Sequence, residues 1–298
     1  MRSRVLLFLY LFCTGLCAGQ AAIADTRALI IAGLGGEAQY EQEFQRHANR
    51  MSRAIGSITD DVTLLAGDAA STSAVQEALA ALADRSRSED TLLFIFIGHG
   101  TYDGEQFRFN VPGRDFSAAR LGDWLDPVAS GAQVLVVTGA ASGAIQDVLA
   151  TPERTLITGT RSGDQRNATV FGRYFTAALE DTSADVNKDG NVTALEAFDY
   201  ASAGVVEHYE QDGEMATENP RSSGPEPTLT LARLESAPTV NNEDTHLLAR
   251  RDELEQEIAV LRNLKDNFSD DEYFAELQRL LLEIAMIEGQ LAAEGATP

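Results

Sequence analysis

The chain has 298 residues, with 46 acidic side chains against 23 basic ones and a formal net charge of −23. Charge of that sign repels phosphate backbones and anionic headgroups, which argues against nucleic acid as a partner and in favour of cations and basic surfaces. The only two cysteines, Cys13 and Cys17, precede everything that reads as a folded domain, so thiol chemistry has no place in that domain.

The opening stretch explains where they sit. Arg2 and Arg4 are followed by an apolar run from Val5 to Cys17 and a small-residue segment ending in Ala22-Ile23-Ala24. A basic start, an apolar middle and small residues before the cut are the marks of a secretory signal peptide, here residues 1–24, cleaved before Asp25. The run is too short for a spanning helix, which needs roughly 20 apolar residues. A lipoprotein would use Cys17, but Leu16 fits poorly where a small residue is wanted. Cleavage lowers the basic count from 23 to 21 and the net charge from −23 to −25. The expectation is an exported protein, periplasmic or extracellular, with neither disulfide nor thiolate.

From there short apolar runs alternate with helical patterns. Residues 27–33 read as a buried strand, 37–55 as an amphipathic helix, 62–66 as a second strand and 73–84 as a helix with Val75, Leu79 and Leu82 on one face. Residues 91–97 (TLLFIFI) are apolar throughout, as a central parallel strand should be. A hairpin turning at Asp103-Gly104 follows, with 106–111 as its return arm. Then come a helix over 117–125, a strand over 133–137, a glycine-rich turn leading into a helix, a strand over 154–158 and a helix over 169–180. This alternation predicts an α/β domain over 25–217, with a mainly parallel sheet between helical layers. Residues 218–244, with four prolines, read as a linker carrying one short edge strand at 228–232. Residues 245–294 read as a helical hairpin or coiled coil: Leu247, Leu254, Ile258 and Leu261 share one face, Leu277, Leu280, Ile284, Ile287 and Leu291 another, and Ser269 with Glu272 forms a capping box between them. Its role is either packing on the core or pairing with another helix, including one from a second copy of the chain.

In a parallel sheet, function collects at the carboxyl ends of strands. One such end carries Gly98-His99-Gly100, where the glycines free the backbone around an imidazole. Another carries Thr138-Gly139-Ala140-Ala141-Ser142-Gly143. Together with Thr158-Gly159-Thr160-Arg161-Ser162-Gly163 and the segment Asn167-Ala168-Thr169 leading to Phe171-Gly172-Arg173-Tyr174-Phe175, these ends resemble the caspase-like fold and, within it, the legumain-like C13 peptidases. The resemblance covers roughly residues 27–220 and implies a three-layer α/β/α domain, with the helical hairpin outside it. It gives His99 the place of the general base. Aligned on Ser142-Gly143, the nucleophilic cysteine falls on Ala140, and alanine has no lone pair with which to attack a carbonyl. The chain therefore reads as a pseudoenzyme. An active hydrolase would have to use Ser142 or Thr138 with His99, although Ser142 sits where it would more naturally cap the following helix. What the frame would keep is binding of a peptide or protein: Gly139, Gly143 and the amides from Ala140 onward as a donor nest, Gly98 and Gly100 beside the imidazole, and Arg161 either lining the cleft or lying free on the surface. His47, His208 and His246 lack a second ligand at useful spacing and read as ordinary surface residues.

Residues 185–196 fit a 12-residue EF-hand loop. Asp185, Asn187 and Asp189 fill the first, third and fifth places, Gly190 the sixth, the Asn191 carbonyl the seventh, Thr193 the ninth and Glu196 the twelfth. Helical patterns on both sides give the right context. One loop alone does not make a paired sensor, so the expectation is a single Ca2+ site with a dissociation constant of roughly 10⁻⁴–10⁻³ M.

Overall fold

The computed structural model describes residues 24–225 and 229–234, single positions between 247 and 265, and residues 268–294. Its centre is a six-stranded sheet. Strands β1 (Thr26–Ala32), β2 (Val62–Leu65), β3 (Thr91–Ile97), β7 (Ala132–Val137) and β8 (Arg154–Thr158) run parallel, and β10 (Arg221–Ser223) closes one edge antiparallel to β8, in the order β10-β8-β7-β3-β1-β2. Between β3 and β7 lies a separate three-stranded sheet of β4 (Gly100–Tyr102), β5 (Phe107–Phe109) and β6 (Phe116–Ser117). Its hairpin turns where Asp103 accepts from the amides of Glu105 and Gln106.

The period of two along β3 sorts its side chains into two cores. Leu93, Ile95 and Ile97 face α1 (Ala38–Ile55), α5 (Phe171–Ala178) and α6 (Ala194–Asp212), through Met51, Ile55, Phe171, Phe175 and Ala201. Leu92, Phe94 and Phe96 face α2 (Thr72–Arg85), α3 (Ala118–Leu125) and the hairpin, through Val75, Leu79, Leu121, Phe107 and Phe109. Each such side chain contributes about 1.5–3 kcal/mol by leaving water, and burial on both faces explains why this run is apolar without interruption. The mixed α/β class with a mainly parallel sheet between helical layers is the one expected.

Three elements differ from expectation. The turn after β7 leads not into a regular helix but into a 3₁₀ turn (Ser142–Ile145) and the single turn α4 (Gln146–Leu149). Strand β10 lies inside the stretch read as linker; it pairs antiparallel with β8, and Arg221-Ser222-Ser223 carries no apolar alternation to reveal it. The short strand expected at 228–232 is β11 (Thr230–Arg233), paired with β9 (Asn191–Thr193) rather than with the main sheet.

In the tail, α7 (Asp270–Glu294) opens on the expected capping box: Glu272 accepts from the Ser269 amide and hydroxyl, and the Glu272 amide donates to Ser269 Oγ. Leu254, Ile258 and Leu261 form an apolar cluster with Tyr273, Leu280 and Ile287, separate from the two cores of the α/β unit. No helix among the described residues is long and apolar enough to cross a membrane. Residues 1–23, 226–228 and 235–246, including His246, lie outside the described residues.

Candidate functional site

His99 leaves β3 in register with Leu93, Ile95 and Ile97, on the α1 side of the sheet. Its ring stands edge-on to Tyr40, with centroids 4.9 Å apart, and to Phe44 at 5.0 Å. Beside it opens a cleft of about 250 Å³, lined among others by Tyr40, Phe44, His47, His99, Thr138 and Arg173. The two rings shield the imidazole from water, and that desolvation lowers the His99 pKa against a backbone hydrogen bond with Gly35 and the nearby carboxylates of Glu37 and Glu43. His99 is therefore neutral at neutral pH.

His47 is not the surface residue its spacing suggested. It is only 8 % exposed, and its Nε2 lies 3.3 Å from Glu43, whereas its Nδ1 has no partner. Burial again lowers its pKa. Tyr40, Phe44 and His47 follow one another at i, i+4 and i+7, so a single stripe of α1 forms this wall. That stripe was the available signal. His208, by contrast, lies near the surface, within 3.6 Å of Asp212.

Beyond Thr138, the loop after β7 leaves this cleft. Ala140 is buried and does not line the His99 cleft. Ala141 takes the left-handed conformation at φ 57°, and its amide donates to the Gln165 carbonyl at 2.7 Å. Ser142 is fully buried. Its Oγ lies 3.3 Å from Thr160 Oγ1 and accepts from the Thr160 amide at 3.2 Å, while the Gly143 amide donates to Thr160 Oγ1 at 2.9 Å. Two expectations are corrected here. Ser142 does not cap a helix, because Thr160, 18 residues on, takes its hydroxyl. The donor nest is smaller than expected, because the amides of Ala141 and Gly143 are spent inside the protein.

The glycines serve close packing. A Cβ on Gly139 would overlap the Gly98 carbonyl oxygen, and one on Gly143 would overlap the backbone joining Arg161 to Ser162. Gly100 opens β4 with its Cα against the Phe107 ring. Arg161 is exposed and outside the cleft; the guanidinium at the cleft is that of Arg173, 4.7 Å from the Tyr174 ring.

Thr138 is the one hydroxyl of this loop that lines the His99 cleft, yet it is buried and its Oγ1 donates to the Phe96 carbonyl. The wall opposite is set by Glu218, 1 % exposed, whose carboxylate accepts from the amides of Val170 at 2.7 Å and Phe171 at 3.2 Å. It thereby holds the start of α5, as a negative group at a helix amino end should. Burial raises its pKa while those amides lower it. Sequence spacing left Glu218 in a linker, with nothing to show that it reaches back 47 residues.

The acidic loop is built differently. Asp185 is 5 % exposed; its Oδ2 accepts from the Gly190 amide at 2.9 Å and its Oδ1 from the Asp189 amide at 3.2 Å. Gly190 makes the turn at φ 80°. Glu196 Oε1 accepts from the Val186 amide at 3.0 Å and its Oε2 from the Thr193 amide and hydroxyl, so the twelfth residue of the loop reaches back over the second. Burial, then the charges of Asp189 and Glu196, raise the Asp185 pKa. No preformed cluster of three or more metal-ligating His, Cys, Asp or Glu side chains stands among the described residues. Even so, the donor set is all oxygen and is held by the loop's own amides, with Asp185 buried beside the charges of Asp189 and Glu196. Those features suit a hard divalent ion such as Ca2+. The strand β9 within the loop is paired by β11, whose continuation at Leu234 donates to the Gly190 carbonyl.

No protein-family model matches the chain, and no curated protein matches it. Among solved structures it is similar to caspase-1 from Spodoptera frugiperda, at 12 % identity and a TM-score of 0.49 over 72 % of this chain and 92 % of that one.

Proposed function

We propose that this chain is an exported, catalytically inactive peptidase-like domain, of the C13 and caspase-like kind its strand-end motifs resemble, which holds calcium at residues 185–196 and binds a peptide or protein segment in the cleft beside His99. One observation carries the reading: at the end of β7, where such a peptidase would place its nucleophile, every hydroxyl and the two amides of Ala141 and Gly143 are bonded within the protein. Attack on a carbonyl needs a nucleophile with a free lone pair next to a base, and an anion hole needs unspent donors. The loop's hydroxyls and two of its amides are already engaged, while the aromatic wall of Tyr40 and Phe44 and the side chain of Arg173 line the cleft beside His99. In the acidic loop, Asp185, Asn187, Asp189, the Asn191 carbonyl and Glu196 would hold the ion, which supplies the positive charge those carboxylates lack.

Incubation with a peptide library, read by mass spectrometry, tests the inactive reading. The expected result is no cleavage by the wild-type chain or by His99→Ala. Turnover that His99→Ala abolishes would overturn it, and Thr138→Ala would then decide whether the one hydroxyl that the loop after β7 brings to the cleft is responsible. A role in assembly has separate support from the exposed Phe274, Leu281, Leu282 and Met286 of α7. Deleting residues 243–298 and measuring mass in solution checks it: a mass that falls by more than the deleted segment means the tail joins copies.

A further inference from the structure

The amino end of the sheet carries a charge cluster that the proposed function does not use. Asp90, just before β3, is fully buried. Its carboxylate accepts from the Arg87 amide at 3.0 Å and from the guanidinium groups of Arg27 at 3.3 Å and Arg87 at 3.2 Å. Around them lie Asp61, which joins Arg27 and Arg85, Glu89 beside Arg87, and the carboxylate of Asp25, which reaches both Arg27 and Arg87. The remaining donor to Asp90 is the backbone nitrogen of Asp25, 3.0 Å from Oδ1, while the Asp25 carbonyl is fixed by the Thr91 amide at 2.9 Å. Asp25 is also the residue before which the small-residue motif Ala22-Ile23-Ala24 ends.

We infer that hydrolysis between Ala24 and Asp25 converts this backbone nitrogen into an α-ammonium seated on the buried Asp90 carboxylate, so that removal of the leader completes an ion pair that locks the first strand into the sheet. The inference rests on the export reading. The step needs water and a peptidase that recognises small residues: the bond from the Ala24 carbonyl carbon to the Asp25 nitrogen breaks, the carbonyl carbon takes the water oxygen and leaves as a carboxylate, and the nitrogen gains protons to become –NH3⁺. An amide donates one hydrogen bond from a neutral dipole. The ammonium places a full charge at the same 3.0 Å and makes a charge-assisted bond, roughly twice as strong. Ala24 is exposed and leads outward, so the bond to be cut is reachable while the nitrogen it frees is already in position. An ordinary N-terminal residue frays; here it is held at both its nitrogen and its carbonyl oxygen.

The sign of the pH dependence follows. Asp90 holds the α-ammonium in its charged form, raising its folded pKa above the unfolded value of about 7.7–8.0. Its contribution is complete below that value and is lost as pH rises through the folded pKa. The charged groups around the amine, Arg27, Arg85 and Arg87 with Asp25, Asp61 and Glu89, are common to chains with and without the added glycine, so a difference between those chains is read at the amine.

The experiment compares three chains ending at Pro298: one released by protease so that it begins at Asp25, one with a single glycine before Asp25, and the Asp25-first chain carrying Asp90→Asn. Each is treated near pH 8 with an amine-acylating reagent, and labelling of the α-amine is read by mass spectrometry. The expected result is labelling about fivefold slower on the Asp25-first chain than on the glycine-extended one, which near pH 8 corresponds to one unit of pKa. Its thermal midpoint should also be higher, with the difference vanishing above roughly pH 10. The glycine chain keeps Asp90 and so remains informative if Asp90→Asn fails to fold. Equal labelling and equal midpoints would overturn the ion pair. N-terminal sequencing of exported material addresses the cut separately: a first residue other than Asp25 would overturn the processing site, whereas a retained leader would overturn the export reading itself.

Discussion

Two loops of this protein carry a non-glycine residue in the left-handed conformation, Ala141 at φ 57° after β7 and Lys188 at φ 60° between α5 and α6. Such a residue costs roughly 1–2 kcal/mol, and the two loops offset it in opposite ways. The loop after β7 turns its polar groups inward onto one another, Ser142 and Gly143 to Thr160 and Ala141 to Gln165, so that it ends as finished structure. The acidic loop anchors Lys188 through its ammonium to the carbonyls of Thr182 and Asp185, yet burial first, and then the nearby charges of Asp189 and Glu196, raise the Asp185 pKa. The first loop thus leaves neither of its hydroxyls unpaired, whereas the second sets like charges side by side.

The largest effect that would sharpen the contrast is calcium. With a dissociation constant of roughly 10⁻⁴–10⁻³ M, about 10 mM calcium should stabilise the fold by about 1.4–2.7 kcal/mol. Calorimetric titration should show one site, absent in Asp185→Ala and Glu196→Ala; no heat of binding at millimolar calcium would break the comparison. Next in size is Ser142→Ala. It strips the Thr160 amide of its acceptor in a fully buried place, a loss of about 2 kcal/mol in chemical unfolding. Calcium affinity should not change. A Ser142→Ala chain as stable as the wild type would mean that the loop's inward bonds are not what closes it.

What the sequence made legible was whatever is repeated or local. The run over 91–97 showed a strand buried on both faces, the Ser269 and Glu272 pair marked the start of α7, and Gly98-His99-Gly100 marked the carboxyl end of β3, beside which a cleft opens. What it hid depends on partners far along the chain. Ser142 and Thr160 are 18 residues apart, Glu218 and Val170 48, and no local period connects them. The site itself was half visible: the imidazole could be placed, but not the side of the sheet it faces. His99 follows the alternation of Ile95 and Ile97 toward α1, whereas the chain after Thr138 folds away, so the positions expected to oppose one another across a cleft, His99 and Ala140, do not share one.

That separation bears on the smallest effect, the pH response of the cleft. Burial depresses the pKa of both His47 and His99, so between the folded values and the unfolded value of about 6.5 the unfolded chain binds more protons. Stability should therefore be complete above about pH 6.5 and decline as pH falls through that value. Glu43 opposes the shift at both rings, and Arg46 and Arg50 reinforce it at His47. Replacing His47 by leucine or His99 by phenylalanine removes one proton-binding group each, so the slope of stability between roughly pH 7 and 5 should flatten in each variant and further in the double variant. An unchanged slope would mean that the rings are already open to water, and the wall formed by Tyr40 and Phe44 would then have no claim to shape a binding site.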